Sequence, residues 1–543
     1  MRFRRIIQGT SFLTFLVLLS LASNHAMEWM RVDLFLRMDP LVLFSVLLSA
    51  RTFVVLLVPA LVIAVFTLVL GRFFCSTLCP LGTTIDIFDW ILQRPRRRYG
   101  PKGARPDFRS LRIAKYLLLS FILGASLAGV SFVFLASPLS LATRLYGLAF
   151  FPAVSELLGI GIVGIREAGR AAGVPILEYT SVPVQTFSLQ WFTLTMGVLI
   201  LGSGLMTKRF WCRYLCPAGA VLSILSLRPF WGRRVSDSCT GCGVCRRKCP
   251  MDAIGGNPMH TRFPDCTACG KCARECPAGA VGFAFMRSRP VGEDSLFSKH
   301  RRSLILSGVG GLGAALVSLN LPGTLYSGTG RNAGSSPIRP PGALPEHDFL
   351  ARCIRCGECM KACPTNTLQH IGLSSGVAGF MSPVITPRRG PCEPSCTKCG
   401  SVCPTGALRD LDPEEKIWAK VGTASVIRKK CIAWDLGREC LVCDEVCPFG
   451  AIDLKRTPES KAPVPFVNEK RCNGCGFCEH ACPVPTESAI VIDSKGAFRM
   501  GKGSYIKAGR DAGYAFEVKQ PSAYGEEGNG ENGFGKLPPG FDE

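Results

Sequence analysis

At 543 residues, with 28 cysteines and a net charge of +23, the chain does not have the composition of an ordinary cytosolic enzyme. A positive mean hydropathy (+0.25) beside a pI near 9.2 argues against a soluble globule and fits apolar spans flanked by Lys and Arg. The length argues against a small secreted disulfide scaffold, and no C-x-x-C-H is present for covalent haem.

The chain opens on Arg2, Arg4 and Arg5, followed by an apolar stretch over 6–23. A retained helix is expected, because no clear A-x-A site follows; a cleavable signal peptide is the alternative, and it leaves the downstream topology unchanged. Three more spans are expected at 53–70, 113–135 and 191–205, each approaching the ~20 apolar residues that cross a bilayer. The run 41–48 is too short to span and reads as re-entrant or interfacial.

Charge sets the orientation. The second span is followed by Arg94, Arg96, Arg97, Arg98, Lys102, Arg105, Arg109, Arg112 and Lys115, and the fourth by Lys208, Arg209, Arg213, Arg228, Arg233 and Arg234. Segments 24–51 and 136–190 are nearly charge-balanced and read as external loops. Positive loops stay inside, so the N-terminus and both basic loops are expected to be cytoplasmic; topology, rather than nucleic-acid or lipid binding, accounts for the basic runs.

A soluble segment at 236–290 follows, then Lys299-His300-Arg301-Arg302-Ser303 and a glycine-studded apolar run over 304–321 that should cross outward. The segment 322–346 reads as a linker, 347–495 as a second cysteine-rich domain, and 503–543 as a disordered polar tail. The expected class is therefore membrane α-helical, with about five transmembrane helices, plus two cysteine-rich domains. The G-x-G-x-x-G matches at 159–164 and 308–313 follow no strand of a βαβ unit, which argues against a dinucleotide site.

Most of the 28 cysteines fall into six sets of four. In the first domain, Cys239, Cys242, Cys245, Cys249 and Cys266, Cys269, Cys272, Cys276 each spell C-x2-C-x2-C-x3-C-P. Such a run wraps three thiolates around one cubane and lends its fourth to the other. Cys239, Cys242, Cys245 and Cys276 are therefore assigned to one cluster, and Cys266, Cys269, Cys272 and Cys249 to the second. Structural zinc would need C-x2-C pairs a dozen or more residues apart, often with His.

In the second domain, Cys353, Cys356, Cys359, Cys363 and Cys472, Cys475, Cys478, Cys482 are regular. Cys392, Cys396, Cys399, Cys403 and Cys431, Cys440, Cys443, Cys447 widen only the first gap. The two irregular sets are expected to exchange fourth cysteines with each other, and the two outer sets likewise. Six [4Fe–4S] clusters are expected in all, held in two α+β ferredoxin-like iron–sulfur domains.

Cys75, Cys79, Cys212 and Cys216 are left over. They sit in an internal repeat, Arg72-Phe73-Phe74-Cys75-Ser76-Thr77-Leu78-Cys79-Pro80 and Arg209-Phe210-Trp211-Cys212-Arg213-Tyr214-Leu215-Cys216-Pro217. Proline suits the first position of a new helix, which places Cys79 and Cys216 at helix N-termini beside arginines and favours reactive thiols. Two dithiol pairs and one shared metal site are both open; buried structural cysteine is the bland alternative.

With these motifs, residues 1–290 resemble the NapH family of quinol dehydrogenase membrane subunits. Residues 300–495 resemble the NapG family, a twin-arginine signal followed by a four-cluster ferredoxin-like protein. The related MauN and MauM families have similar parts. Departures exist: Arg301-Arg302-Ser303 continues as Leu304-Ile305-Leu306 rather than with Phe-Leu-Lys, and no A-x-A site follows, which favours a retained anchor. No flavin-binding domain is recognisable, unlike the nitrous-oxide-reduction regulator family, and resemblance to the copper-reducing oxidase-assembly family stops at the membrane part.

The resemblance implies a protein of the bacterial inner membrane that oxidises menaquinol or ubiquinol. Cys75, Cys79, Cys212 and Cys216 would form its quinol/thiol redox site, and a cytochrome or terminal reductase in the periplasm would accept the electrons. No nucleic-acid partner is expected. The rival reading is a maturation or redox-regulatory factor supplying electrons for assembly of another enzyme's cofactor.

Overall fold

The computed structural model describes residues 2–22, 31–99, 109–171, 185–286, 300–320, 337–458 and 460–519. The principal helices are α1 (Arg2–Leu21), α2 (Pro40–Ala50), α3 (Val58–Leu70), α4 (Pro80–Tyr99), α5 (Ala114–Leu127), α6 (Pro138–Arg144), α7 (Phe151–Ala171), α8 (Gln190–Gly202), α9 (Pro217–Leu225) and α10 (Arg301–Asn320). Proline opens α2, α4, α6 and α9, where its missing N–H is one of the orphans anyway. The side chains of Asp39, Ser137 and Cys216 cap α2, α6 and α9.

Among the described residues, four helices are long and apolar enough to cross a membrane: Arg4–Leu21, Ser110–Leu127, Pro138–Val163 and Arg301–Asn320. The spans expected at 53–70 and 191–205 are present as shorter apolar helices, Val55–Leu70 and Gln190–Leu205. The expectation of an external loop over 136–190 is corrected. There α6 runs through a π-helical stretch, Leu145–Phe150, straight into α7. Pro152 lacks the N–H that a regular helix would donate, and the widened turn just before it absorbs the break. The glycines at 159–164 accordingly lie in a helix. The run at 41–48 forms α2, a half-length helix with Leu41, Val42 and Ser45 fully buried. The Ser45 hydroxyl meets that of Ser126 on α5 at 2.7 Å.

Helices α5 and α10 run parallel with their backbones in contact. Ser120 Oγ donates to the Leu304 carbonyl (2.7 Å) and Ser307 Oγ to the Leu117 carbonyl (2.8 Å). A Cβ on Gly124 would stand 2.0 Å from the Gly308 oxygen, and one on Gly311 2.0 Å from the Phe121 oxygen. The glycines of the 308–313 run thus serve close helix approach, the usual role of small residues in membrane packing. Gly311→Val is expected to push the helices apart and lower stability by about 1–3 kcal/mol. Gly313→Val, whose Cβ meets nothing within 4 Å, should leave the melting temperature of the detergent-solubilised protein unchanged. Equal melting of the two variants would refute this packing.

Two cysteine-rich units flank the helices. In the smaller, β1 (Trp231–Val235) pairs antiparallel with β2 (Val281–Phe285), so the unit starts before the expected boundary at 236. In the larger, β3 (Leu368–His370) pairs with β4 (Pro383–Ile385), β5 (Thr423–Val426) with β8 (Ile490–Asp493), and β6 (Ile452–Lys455) with β7 (Val464–Val467), all antiparallel. Its limits also differ from the expected 347–495. Ile338 joins its core and Arg339 pairs with Glu346, so the expected linker is structured from 337. At the other end Tyr505 opens a helix, Tyr505–Asp511, and is fully buried, while Phe516 is 4% exposed. Residues 503–519 are therefore packed structure, and the rest of the expected disordered tail lies outside the described residues, as do Lys299 and 321–336.

The two units dock at opposite ends of the helical body. At the start of α5, Arg112 binds Asp252 (2.6 Å) and Asp265 (2.7 Å), and Lys115 binds Asp265 (3.2 Å). At its far end, Ala125 shares an apolar cluster with Phe349 and Leu350 of the larger unit. There too Ser49 Oγ donates to the Ala351 carbonyl, and Arg355 stacks over the Phe134 ring at 4.2 Å.

Candidate electron-transfer site

The thiols of each unit gather in fours. Cys249, Cys266, Cys269 and Cys272 line one cavity, the grouping expected from the spacing. Beside it, Cys245 and Cys276 belong to the same buried cluster as Cys249 and Cys272, while Cys239 is half-buried and Cys242 exposed. In the larger unit, Cys431, Cys440, Cys443 and Cys482 line one cavity, and Cys447, Cys472, Cys475 and Cys478 another. Cys403 lies within electrostatic reach of Cys353, Cys356 and Cys359. Cys363 stands likewise toward Cys392 and Cys399.

These groupings correct the expected exchange of fourth cysteines. Neighbouring sets in the chain pair, the first with the second and the third with the fourth. The physical reason is local. The one-turn helices Glu358–Ala362 and Lys398–Ser401 pack together, as do Val442–Glu445 and Phe477–Ala481, so each pair closes on itself. The widened first gaps are taken up locally, the second by a short helix, Ile432–Asp435, whose Ala433 is buried in the core.

The donor set suits cubane clusters. Among the described residues no three His, Cys, Asp or Glu side chains converge on a single metal ion. The thiols instead surround cavities, as ligands to separate irons must. Backbone N–H groups point at the sulfurs: Ala253 to Cys249 (3.4 Å), Ala424 to Cys472 (3.4 Å), Ala451 to Cys447 (3.3 Å) and Ala489 to Cys482 (3.4 Å). Such bonds stabilise ligated thiolates and tune cluster potential.

The four groups of the larger unit form a row. Cys359 neighbours Cys399, the Cys392 N–H donates to the Cys475 carbonyl (2.8 Å), and Cys478 neighbours Cys443. The first group abuts the helical body, where Ile354 and Cys356 join its apolar core. The group of Cys431, Cys440, Cys443 and Cys482 ends the row.

Between the two units lie Cys75, Cys79, Cys212 and Cys216. Cys79 and Cys216 are 8% and 6% exposed, so the thiols expected to be reactive lie beside Arg72 and Arg209 as anticipated but are closed off from solvent. The repeat is structural as well as sequential: the Gly82 N–H donates to Cys79 Sγ (3.4 Å) and the Gly219 N–H to Cys216 Sγ (3.3 Å).

The sequence reading placed Arg72 and Arg209 at the heads of the repeats beside the cysteines, but did not single out Asp86 or Asp89. Arg209 clasps Asp86 through Nε (2.7 Å) and Nη2 (2.6 Å), and its backbone N–H donates to Asp89 Oδ2 (2.7 Å). A groove of ≈ 560 Å³ opens here, lined by Gln8, Asp86, Ile87, Asp89, Trp90 and Arg209 among others. Burial first raises the Asp86 carboxyl, but Arg209 outweighs it and holds the group at about 2. Asp89 is pushed up to about 6 by burial. The available signal was the i, i+3 acid pair on α4 and the arginine heading each repeat.

A 4Fe-4S dicluster domain family model matches residues 352–407, which hold the first two sets, and 437–486, which hold the last two apart from Cys431. Models described as 4Fe-4S binding domains match 234–255, 264–279, and both 52–99 and 189–235. The methylamine utilization ferredoxin-type protein MauM of Methylorubrum extorquens is 36% identical over 203 residues, covering 36% of this chain and 89% of that protein. The ferredoxin-type protein NapG of Escherichia coli K12 is 37% identical over 193 residues, covering 34% of this chain and 80% of that one. With several 4Fe-4S domains and that degree of identity, the chain belongs to the ferredoxin-type iron–sulfur electron-transfer proteins that include MauM and NapG.

Proposed function

We propose that the protein is a bacterial inner-membrane electron carrier with six [4Fe–4S] clusters that oxidises a quinol at its helical body and delivers electrons to a periplasmic redox partner. The observation that carries this reading is the docking of the two cysteine-rich units at opposite ends of one apolar body. Arg4, Arg5, Lys208 and Arg213 cluster at the end that holds the smaller unit, which supports a cytoplasmic place for it and a periplasmic one for the larger unit.

The groove supports quinol as the donor. Ile87 and Trp90 offer apolar walls, and Gln8, Asp86 and Asp89 offer polar groups that fix orientation. A quinol releases two electrons and two protons. When bound, the clusters supply one-electron acceptors; the protons fall to the protein. Asp89 ionises at about 6 and is then able to take one, while Asp86 is held charged by Arg209.

Quinol-dependent reduction of the full chain in liposomes, followed by EPR, tests this. The rate should rise as pH climbs through about 6, where Asp89 becomes ionised, and level off above it. Asp89→Asn should abolish that rise and slow reduction by about 10²-fold. No reduction by menaquinol or ubiquinol would end the quinol reading. Reduction that stops after one equivalent, without turnover to an acceptor, would point instead to a maturation role.

A further inference from the structure

The four cysteines outside the six sets converge. Cys79 has Cys75 and Cys212 as electrostatic neighbours, Cys212 has Cys75, and Cys216 has all three others. Every pair among the four is thus in reach, one C-x3-C segment coming from each repeat. Segments so arranged resemble the thiol groups of the cluster units more than two separate dithiols.

The surroundings call for an anion. Arg72 is fully buried, and its hydrogen bonds go to the Pro264 carbonyl (3.0 Å) and to Cys75 Sγ (3.9 Å). Its Nε has no partner. Arg209, 1% exposed, reaches the Cys75 carbonyl from the opposite repeat (3.3 Å). A Cβ on Gly219 would stand 2.8 Å from Arg72 Nη2, so glycine there keeps the guanidinium between the repeats. A buried guanidinium with no carboxylate bonded to it among the described residues is costly unless a negative group faces it. Four neutral thiols supply no charge, whereas a thiolate-ligated iron–sulfur cluster is anionic.

Position adds a reason. Helix α1 measures the depth of each site. Arg4 bonds the Cys269 carbonyl of the smaller unit, Ser11 bonds the Leu78 carbonyl beside Cys79, and Leu19 meets Gly147, which faces Lys361 beside Cys359. At 1.5 Å per residue these contacts lie ~10 Å and then ~12 Å apart along the axis. The four thiols stand midway between the two units. Electron tunnelling falls off exponentially with distance, so a redox site there would replace one long step by two short ones.

We propose that Cys75, Cys79, Cys212 and Cys216 together ligate one further [4Fe–4S] cluster, inside the helical body. As a relay the site gains one electron from one side and loses one to the other; the thiolates stay bound to iron, form no S–S bond and carry no proton. The assignment does not depend on quinol being the donor.

Iron and acid-labile sulfide, measured on the full chain purified anaerobically in detergent, test it. About 28 irons per chain are expected, four for each of seven cubanes, and Cys79→Ser/Cys216→Ser should lose about four while keeping the EPR signals of the other units. A content of about 24 irons in both proteins overturns the proposal. Should the variant fail to fold, the unaltered protein decides. Alkylation followed by mass spectrometry should leave all four thiols unlabelled until a chelator strips the iron. Free thiols, a Cys75–Cys79 or Cys212–Cys216 disulfide, or zinc in place of iron would overturn the proposal. Neither readout involves quinol, so its failure stays separate from that of the proposed function.

Discussion

Asp265→Ala is expected to loosen the smaller unit from the helical body at a cost of about 3–5 kcal/mol, the usual price of leaving buried charges without their partner. Asp265 receives Arg112 Nη1 at 2.7 Å and Lys115 Nζ at 3.2 Å, and those side chains are 7% and 1% exposed. Removing the carboxylate strands Lys115 and leaves Arg112 with Asp252 alone, at a joint with little water. Burial alone would raise the Asp265 carboxyl, but Lys115, then Arg112, outweigh it and hold it at about 2. Because that lies below the unfolded value of ~3.9, the stabilisation is present above about pH 4 and fades as pH falls through about 2. The urea midpoint of cluster bleaching reads the effect. Asp265→Ala/Lys115→Met should recover part of the loss, since it removes one stranded cation. A midpoint unmoved by Asp265→Ala would show that this joint carries no weight.

Stripping the iron is expected to unfold residues 337–519 outright while the helices persist. The strands of this unit hold three or four residues, its sheets two strands each, and its helices at most seven residues. Elements so short are marginal in water by themselves. Cysteines make up much of its main buried cluster: Cys363, Cys431, Cys447, Cys472, Cys475, Cys478 and Cys482 sit beside Phe449, Ile452 and Ile492. Without metal these thiols surround empty space, so ligand binding and folding become one equilibrium. Chelation should make 337–519 protease-sensitive and erase its near-UV dichroism, with the far-UV helical signal largely retained. A protease-resistant apo unit would contradict this.

What the sequence revealed was whatever local spacing dictates. The six cysteine sets, the twin C-x3-C-P repeats, and the helices α1, α5 and α10 all follow from runs of a few to twenty residues. The pairing of sets was misread because the widened gaps after Cys392 and Cys431 drew attention away from chain order, which decides which one-turn helices pack. Helix α6–α7 was missed because Arg144 and Pro152 break its apolar run. In the fold, Arg144 is buried and donates to the Phe134 carbonyl, and a π turn accommodates Pro152. The packed segment 503–519 hid behind polar composition, since a few anchors, Tyr505 and Phe516 among them, hold it. The groove at Asp86 and Asp89 needs five separated segments to meet, which no local pattern encodes.

The parallel contact of α5 and α10 has a bearing on supply. Because α10 joins the two cysteine-rich units covalently and lies flush against the helical body, neither unit has to find the other by diffusion. Their ratio is fixed at one to one by translation, and their effective concentration is set by geometry instead of expression level. Dilution that would separate two independent subunits leaves this assembly intact.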